Sequence, residues 1–315
     1  MNNLNIKTNS KRCLAVVNKS LLISISLIVF VLFSCEDLVT DIDFPDSDPK
    51  IVVNSFISPA DTAVMVMLTW SKPINSNESY WVPEIIDNAT VKIAETGESY
   101  SRLHYYPERK FYSLSTNDFP IEAGKNYSLK VELPDGQIAE SECFVPFINE
   151  SLNLLDTGTV VLNEWEEVFR VEYSFTHTGV NESYYYTNAY RDRKVLNYNN
   201  GEWFTETEEF WIIYGENFIQ ATEDEEKDYL IKAEIYNYDE EFDFEGKIKE
   251  EELYLHILLL TTDEHYYKYH KDLEYYYPDD LFSESVHVYS NIKGGLGIFA
   301  GYNMHKLKIL LETKK

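Results

Sequence analysis

The twelve residues EFDFEGKIKEEE, Glu241 to Glu252, set acids at the first, third and fifth positions (Glu241, Asp243, Glu245). Gly246 is sixth, Ile248 eighth and Glu252 twelfth. This is the spacing with which a helix–loop–helix hand wraps a calcium ion in carboxylate and carbonyl oxygens. Three features argue against an ion. The longer arm of Glu241 misplaces the first ligand, and Lys249 puts a positive charge at the ninth position. The flanks YLIKAEIYNY and ELYLHILLL read as strands where the motif needs helices. The segment is expected to be an acidic hairpin turn with Gly246 at positive φ, and no metal ligand is assigned.

Other reactive side chains are equally sparse in pattern. His256, His265 and His270 are close in sequence, but His265 and His270, five apart on a helix, project roughly 140° from each other. No HEXXH and no cysteine pair accompanies them, which argues against zinc. His104, His177, His287 and His305 stand singly and read as ordinary strand or surface residues. Cys143, in the strand-like SECFVP, reads as a small buried thiol rather than a nucleophile. Gly294-Gly295-Leu296-Gly297 runs into β-branched and aromatic residues instead of opening a helix. Its glycines are expected to let a strand bend or approach a neighbour, not to cradle phosphate. Paired carboxylates for glycoside hydrolysis would need a separation that sequence does not supply, and 54 acids guarantee chance neighbours. No catalytic or cofactor-binding residue is assigned.

The elements that would position these groups are mostly strands. From Lys50, the runs KIVVNSFIS, AVMVMLTWSKPI, ATVKIAE, KFYSLS and YSLKVELPDGQIAESECFVP are short, apolar or alternating, and separated by turn residues. Val64 to Leu68 is continuously apolar, as a strand buried on both faces would be. Tyr127, Leu129, Val131 and Leu133 alternate with polar residues, and Pro134-Asp135-Gly136 has the chemistry of a hairpin turn. Residues 50–146 are read as an Ig-like antiparallel β-sandwich. Residues 147–315 are read as a second β-rich domain carrying one C-terminal helix over about 262–277. Thr262 or Asp263 can cap that helix, and Pro278 stops it. Tyr266, Tyr269 and Leu273 share its face at i, i+3, i+7, with Tyr276 a turn further.

Adjacent aromatics add a constraint. Tyr184-Tyr185-Tyr186, Trp203-Phe204, Phe210-Trp211 and Tyr275-Tyr276-Tyr277 cannot all face inward along a strand. Some aromatic surface is expected to be exposed or covered by a partner.

The amino end carries an address. Lys7, Lys11, Arg12 and Lys19 precede the uncharged run Leu21 to Phe33, whose length as a helix is only ~20 Å, short of a bilayer's ~30 Å. That is a secretion signal rather than an anchor, and it is assigned to residues 1–34. Leu32-Phe33-Ser34-Cys35 looks like a bacterial lipobox, apart from the bulky Phe33, so Cys35 is assigned as the lipidated residue that ties the chain to a membrane. Residues 35–49, with Glu36, Asp37 and the run DIDFPDSDP, form an acidic tether. Its start resembles the export signal of Bacteroidetes lipoproteins sent to the outer surface. The expected location is thus the outer membrane, lipid-anchored and surface-exposed. The net charge of −27 repels polyanions, so a nucleic-acid partner is excluded. With Cys13 in the signal and Cys35 lipidated, Cys143 has no disulfide partner, and stability must come from core burial.

Several stretches together resemble the Bacteroidetes family called domain of unknown function 4249. They are the junction SCEDLVTDIDFPDSDPKIVVNSFIS, the pair TVKIAETGESY and ELPDGQIAESECFVP, and, in the C-terminal third, YNYDEEFDFEGK, LLLTTDEHYYKYHKDLE and FSESVHVYSNIKGGLGIFAGYN. The resemblance implies an outer-membrane lipoprotein associated with a TonB-dependent receptor, and it carries over no catalytic residue. The expected function is a non-enzymatic binding or accessory module with no cofactor and a ligand the sequence does not name. The alternatives are a surface hydrolase of glycan or peptide, or a structural or adhesive envelope protein.

Overall fold

The computed structural model describes residues 48–72, 82–164, 166–179, 181–197, 201–223, 226–236, 253–274 and 287–311. The signal 1–34, Cys35, nearly all of the tether, the acidic loop Glu241–Glu252 and Tyr275-Tyr276-Tyr277 lie outside the described residues. All that is described falls in one compact unit, Asp48–Lys72 with Ser76–Lys315.

The chain is mainly β. In the first half run β1 (Ile51–Ile57), β2 (Ala63–Trp70), β3 (Thr90–Glu95), β4 (Ser101–Arg102), β5 (His104–Tyr106), β6 (Phe111–Ser115), β7 (Lys125–Glu132) and β8 (Ile138–Val145). After Pro146 come β9 (Leu152–Asn163), β10 (Glu166–His177), β11 (Ser183–Asn197), β12 (Glu202–Glu209), β13 (Trp211–Tyr214), β14 (Phe218–Ala221), β15 (Lys227–Tyr236) and β16 (Leu253–Thr262). The helix α1 (Glu264–Glu274) and β17 (Leu296–Leu311) close the fold. The helix falls within the span expected from its cap and its tyrosine stripe. Among the described residues no helix is long and apolar enough to cross a membrane.

Three sheets form. The largest runs β12-β11-β16-β17-β1-β2-β6-β5, with β14 also on β11, and so carries strands from both sides of Pro146. The others run β13-β15-β10-β9 and β4-β3-β7-β8. One core lies between the first half's strands of the large sheet and the β3-β7-β8 layer, built from Val53, Val66, Leu68, Tyr112, Val131 and their neighbours. The second lies between β10/β15 and β11/β16, around Tyr173, Phe175, Tyr185, Ile231 and Leu255. The predicted hairpin is present: Gly136 at φ +92° and the Asp135 carboxylate accepting from Gln137 N–H at 3.0 Å turn the chain from β7 into β8.

Within residues 50–146 every described strand pairing is antiparallel, as expected. From outside that span β17 joins β1 in parallel, Val53 beside Gly297 and Phe56 beside Ala300. Strands so far apart in sequence have no hairpin to force antiparallel pairing. One expectation is corrected, that for Val64 to Leu68. Val64, Val66 and Leu68 are buried, whereas Met65 is 50% and Met67 42% exposed. The strand is covered on one face only, and its outer apolar face stands open.

The glycines near β17 behave as the sequence suggests. Gly297 has φ +102°, and a Cβ there would run into the Val53 carbonyl. At Gly301 a Cβ would strike the Phe144 carbonyl. These positions let β17 lie against both β1 and β8.

Candidate functional site

The strand-to-helix corner after β16 is organised by Asp263. Its Oδ1 accepts from Tyr266 N–H at 2.8 Å, which is an N-cap bond at the start of α1. Its Oδ2 accepts from Gly301 N–H of β17 at 3.1 Å and Phe144 N–H of β8 at 3.3 Å. One carboxylate thus ties three elements together. Burial pushes Asp263 up to about 7, against the pull of its backbone N–H donors.

Beside it a cleft of about 460 Å³ opens between the end of β8, the loop to β9, the start of β11 and the corner itself. Five carboxylates line it: Glu142, Glu150, Glu182, Asp263 and Glu264. Phe144 and Phe147, 39% and 58% exposed, give it an apolar shelf. Asn126, Asn149 and Asn181 add amides, and no Lys or Arg among the described residues lines it. Such a surface suits neutral polar or positively charged groups and repels anions.

A chain of buried polar groups leads inward from the cleft. Glu150 is 7% exposed; its Oε1 accepts from Tyr185 O–H at 2.6 Å, and its Oε2 accepts from Thr261 Oγ1–H and Asn149 N–H, each at 3.0 Å. Tyr185 O lies 2.8 Å from His177 Nδ1, and His177 Nε2 lies 3.2 Å from the Thr222 carbonyl. Burial, followed by the Glu150 carboxylate, raises the Tyr185 hydroxyl well above its ordinary range, so it stays protonated as the bridge. His177, expected as an ordinary strand or surface residue, is a buried strand residue within this network. The alternation Val171, Tyr173, Phe175, His177 carried the signal, since it puts His177 on the inward face of β10.

The remaining candidates disperse. His265 Nδ1 pairs with the Tyr289 hydroxyl at 2.7 Å at the cleft's edge. His270, on α1 itself, has its ring stacked on Phe218, and burial pushes it down to about 4. His256 stacks on Tyr190, with ring centroids 4.6 Å apart. Its Nε2 lies 3.0 Å from Asp192 Oδ2, but burial holds the ring below its ordinary range, so this is a neutral neighbour and not an ion pair. Cys143 is a buried free thiol whose acidity burial suppresses. Of the aromatic doublets, Phe204 and Trp211 are exposed and Phe210 is buried. Tyr184 and Tyr186 are half-covered, by Tyr267 of α1 and by Phe218.

This succession of strands, corner and glycine-bearing last strand agrees with a family model, Domain of unknown function (DUF4249), which matches residues 39–308. The chain belongs to this family. The DUF4249 match spans both sides of Pro146 and includes every residue of the cleft. A comparison with curated proteins finds no match.

Proposed function

We propose that this DUF4249 protein is a non-enzymatic binding module, held on the outer membrane of a Bacteroidetes-type bacterium by lipidated Cys35 and working with a TonB-dependent transporter. The cleft between β8, β11 and α1 takes the ligand. One observation carries the non-enzymatic reading. The buried carboxylates of the cleft are already engaged: both oxygens of Asp263 and both of Glu150 accept hydrogen bonds from the protein itself. Carboxyl oxygens so engaged are committed to holding the wall in shape rather than aimed at a substrate. The exposed rim of Phe144, Phe147 and amides is left for recognition. The lipoprotein address rests on Leu32 to Cys35 and the transporter on the family resemblance.

A surface hydrolase of glycan or peptide is the second reading, favoured by the crowd of carboxylates around one concavity. It requires turnover by the purified chain that Glu150→Gln abolishes while the fold persists.

The anchor is tested by Cys35→Ser. Metabolic labelling with a palmitate analogue should mark the parent chain and not the variant, and the variant should leave the membrane fraction. An unlabelled parent, or a variant that still sediments with membranes, overturns the anchor.

A further inference from the structure

Three contacts lie in series in the buried chain behind the cleft. Glu150 Oε1 meets the Tyr185 hydroxyl at 2.6 Å, that hydroxyl meets His177 Nδ1 at 2.8 Å, and His177 Nε2 meets the Thr222 carbonyl at 3.2 Å. Each contact needs one hydrogen. A carbonyl supplies none, so Nε2 must carry one. A carboxylate supplies none either, so the tyrosine hydroxyl points at Glu150, and the hydrogen between Tyr185 and His177 comes from Nδ1. An ionised glutamate, a tyrosine and a neutral histidine bring two hydrogens to three contacts. The third makes His177 an imidazolium. Glu150 also accepts from Thr261 and from Asn149 N–H, a set of three donors that suits a carboxylate. The two charges then cancel where all three side chains are buried.

The charged groups nearby have partners of their own or face solvent. Lys227, opposite His177 on β15, holds its ammonium 5.0 Å from the centre of the Tyr229 ring. Asp228 accepts from Thr176, and Glu223 and Glu226 between β14 and β15 are exposed. On the cleft side, Glu182 accepts from Gln220, Glu264 pairs with Lys268, His265 pairs with Tyr289, and Glu142 is exposed. Both oxygens of Asp263 are taken by backbone N–H groups.

We propose that Glu150, Tyr185 and His177 form a proton-held latch on the wall of the cleft. Tyr185 and His177 stand on β11 and β10, each paired with strands on both sides. Glu150 lies instead in the loop from β8 to β9, whose Pro146, Phe147 and Asn149 line the cleft with it. The third hydrogen pins this loop to β11. When a base in solution takes that hydrogen, two lone pairs face each other across a buried contact, and neither can turn to water. The strands are held by their ladders, so the loop yields. The latch sets the shape of the cleft whatever the cleft holds, and it does not depend on the binding role proposed above.

Nitrogen-15 NMR of the purified full chain, labelled on histidine and read at pH 7, counts the hydrogens on each ring. His177 is assigned by the signal missing from His177→Gln. Both ring nitrogens of His177 are expected to bear hydrogen in the parent. In Glu150→Gln only Nε2 should, because the amide donates its own hydrogen to Tyr185, whose hydroxyl then turns to Nδ1. A bare Nδ1 in the parent, or an Nδ1 that keeps its hydrogen in Glu150→Gln, overturns the proposal. Amide hydrogen exchange of Phe147 to Glu150 reads the latch itself. Corrected for its intrinsic pH dependence, it should quicken about tenfold as rising pH strips Nδ1 of its hydrogen. Exchange that stays constant across that step overturns the latch.

Discussion

At the scale of single residues, the fold concentrates risk in a few buried polar groups. Asp263 caps α1 and holds Phe144 and Gly301, so Asp263→Ala should cost about 2–3 kcal/mol, measured by urea unfolding at pH 6. Its raised pKa has a defined sign. Folded Asp263 keeps its proton up to about 7 while the unfolded group releases it near 3.8, so its titration favours the fold below 3.8. That contribution is lost as pH rises through about 7, and the parent's advantage over Asp263→Ala should shrink between pH 4 and pH 8. His270 works in the opposite direction. It stays neutral in the fold down to about 4 but protonates near 6.5 when unfolded, so its contribution is present above 6.5 and lost as pH falls toward 4. His270→Phe keeps a ring beside Phe218 and Phe56 and should resist acid unfolding better than the parent, read as a lower pH midpoint. Tyr185→Phe would strand Glu150 and His177 without their shared hydroxyl, and a loss of about 2–4 kcal/mol is expected in the same urea assay.

At the scale of elements, much was legible because each strand announces its own period. The alternation in Tyr127 to Leu133, the Pro134-Asp135-Gly136 turn and the capped tyrosine stripe of α1 are local signals, and the structure contains all three. What sequence did not show is non-local. A continuous apolar run looks the same whether one face or both are covered, so the exposure of Met65 and Met67 depends on where α1 comes to rest. The parallel pairing of β1 with β17 joins strands separated by most of the chain, and no turn chemistry encodes it. The cleft was illegible for the same reason: Glu150, Glu182 and Asp263 come from three distant segments, and 54 acids hide them. The glycines gave the one hint of close approach. Gly301→Ala would drive a methyl into the Phe144 carbonyl and pry β17 from β8. Loss of the soluble folded species is expected, checked by circular dichroism and gel filtration.

At the scale of the whole molecule, the large sheet threads both halves of the chain, and its described strands belong to one compact unit. Unfolding should therefore follow a single cooperative transition, coincident by tryptophan fluorescence and far-UV circular dichroism; two separated transitions would mean that the halves divided at Pro146 fold independently. On the lipid anchor proposed at Cys35, such a unit would present its cleft at the surface that holds it. We propose that it works there as a transporter's binding accessory. The most direct measurement is affinity purification of the lipidated, tagged chain from its own outer membrane in mild detergent, with the recovered proteins quantified by mass spectrometry. A TonB-dependent transporter is expected in stoichiometric amount. Recovery of the chain with no transporter above background would contradict it.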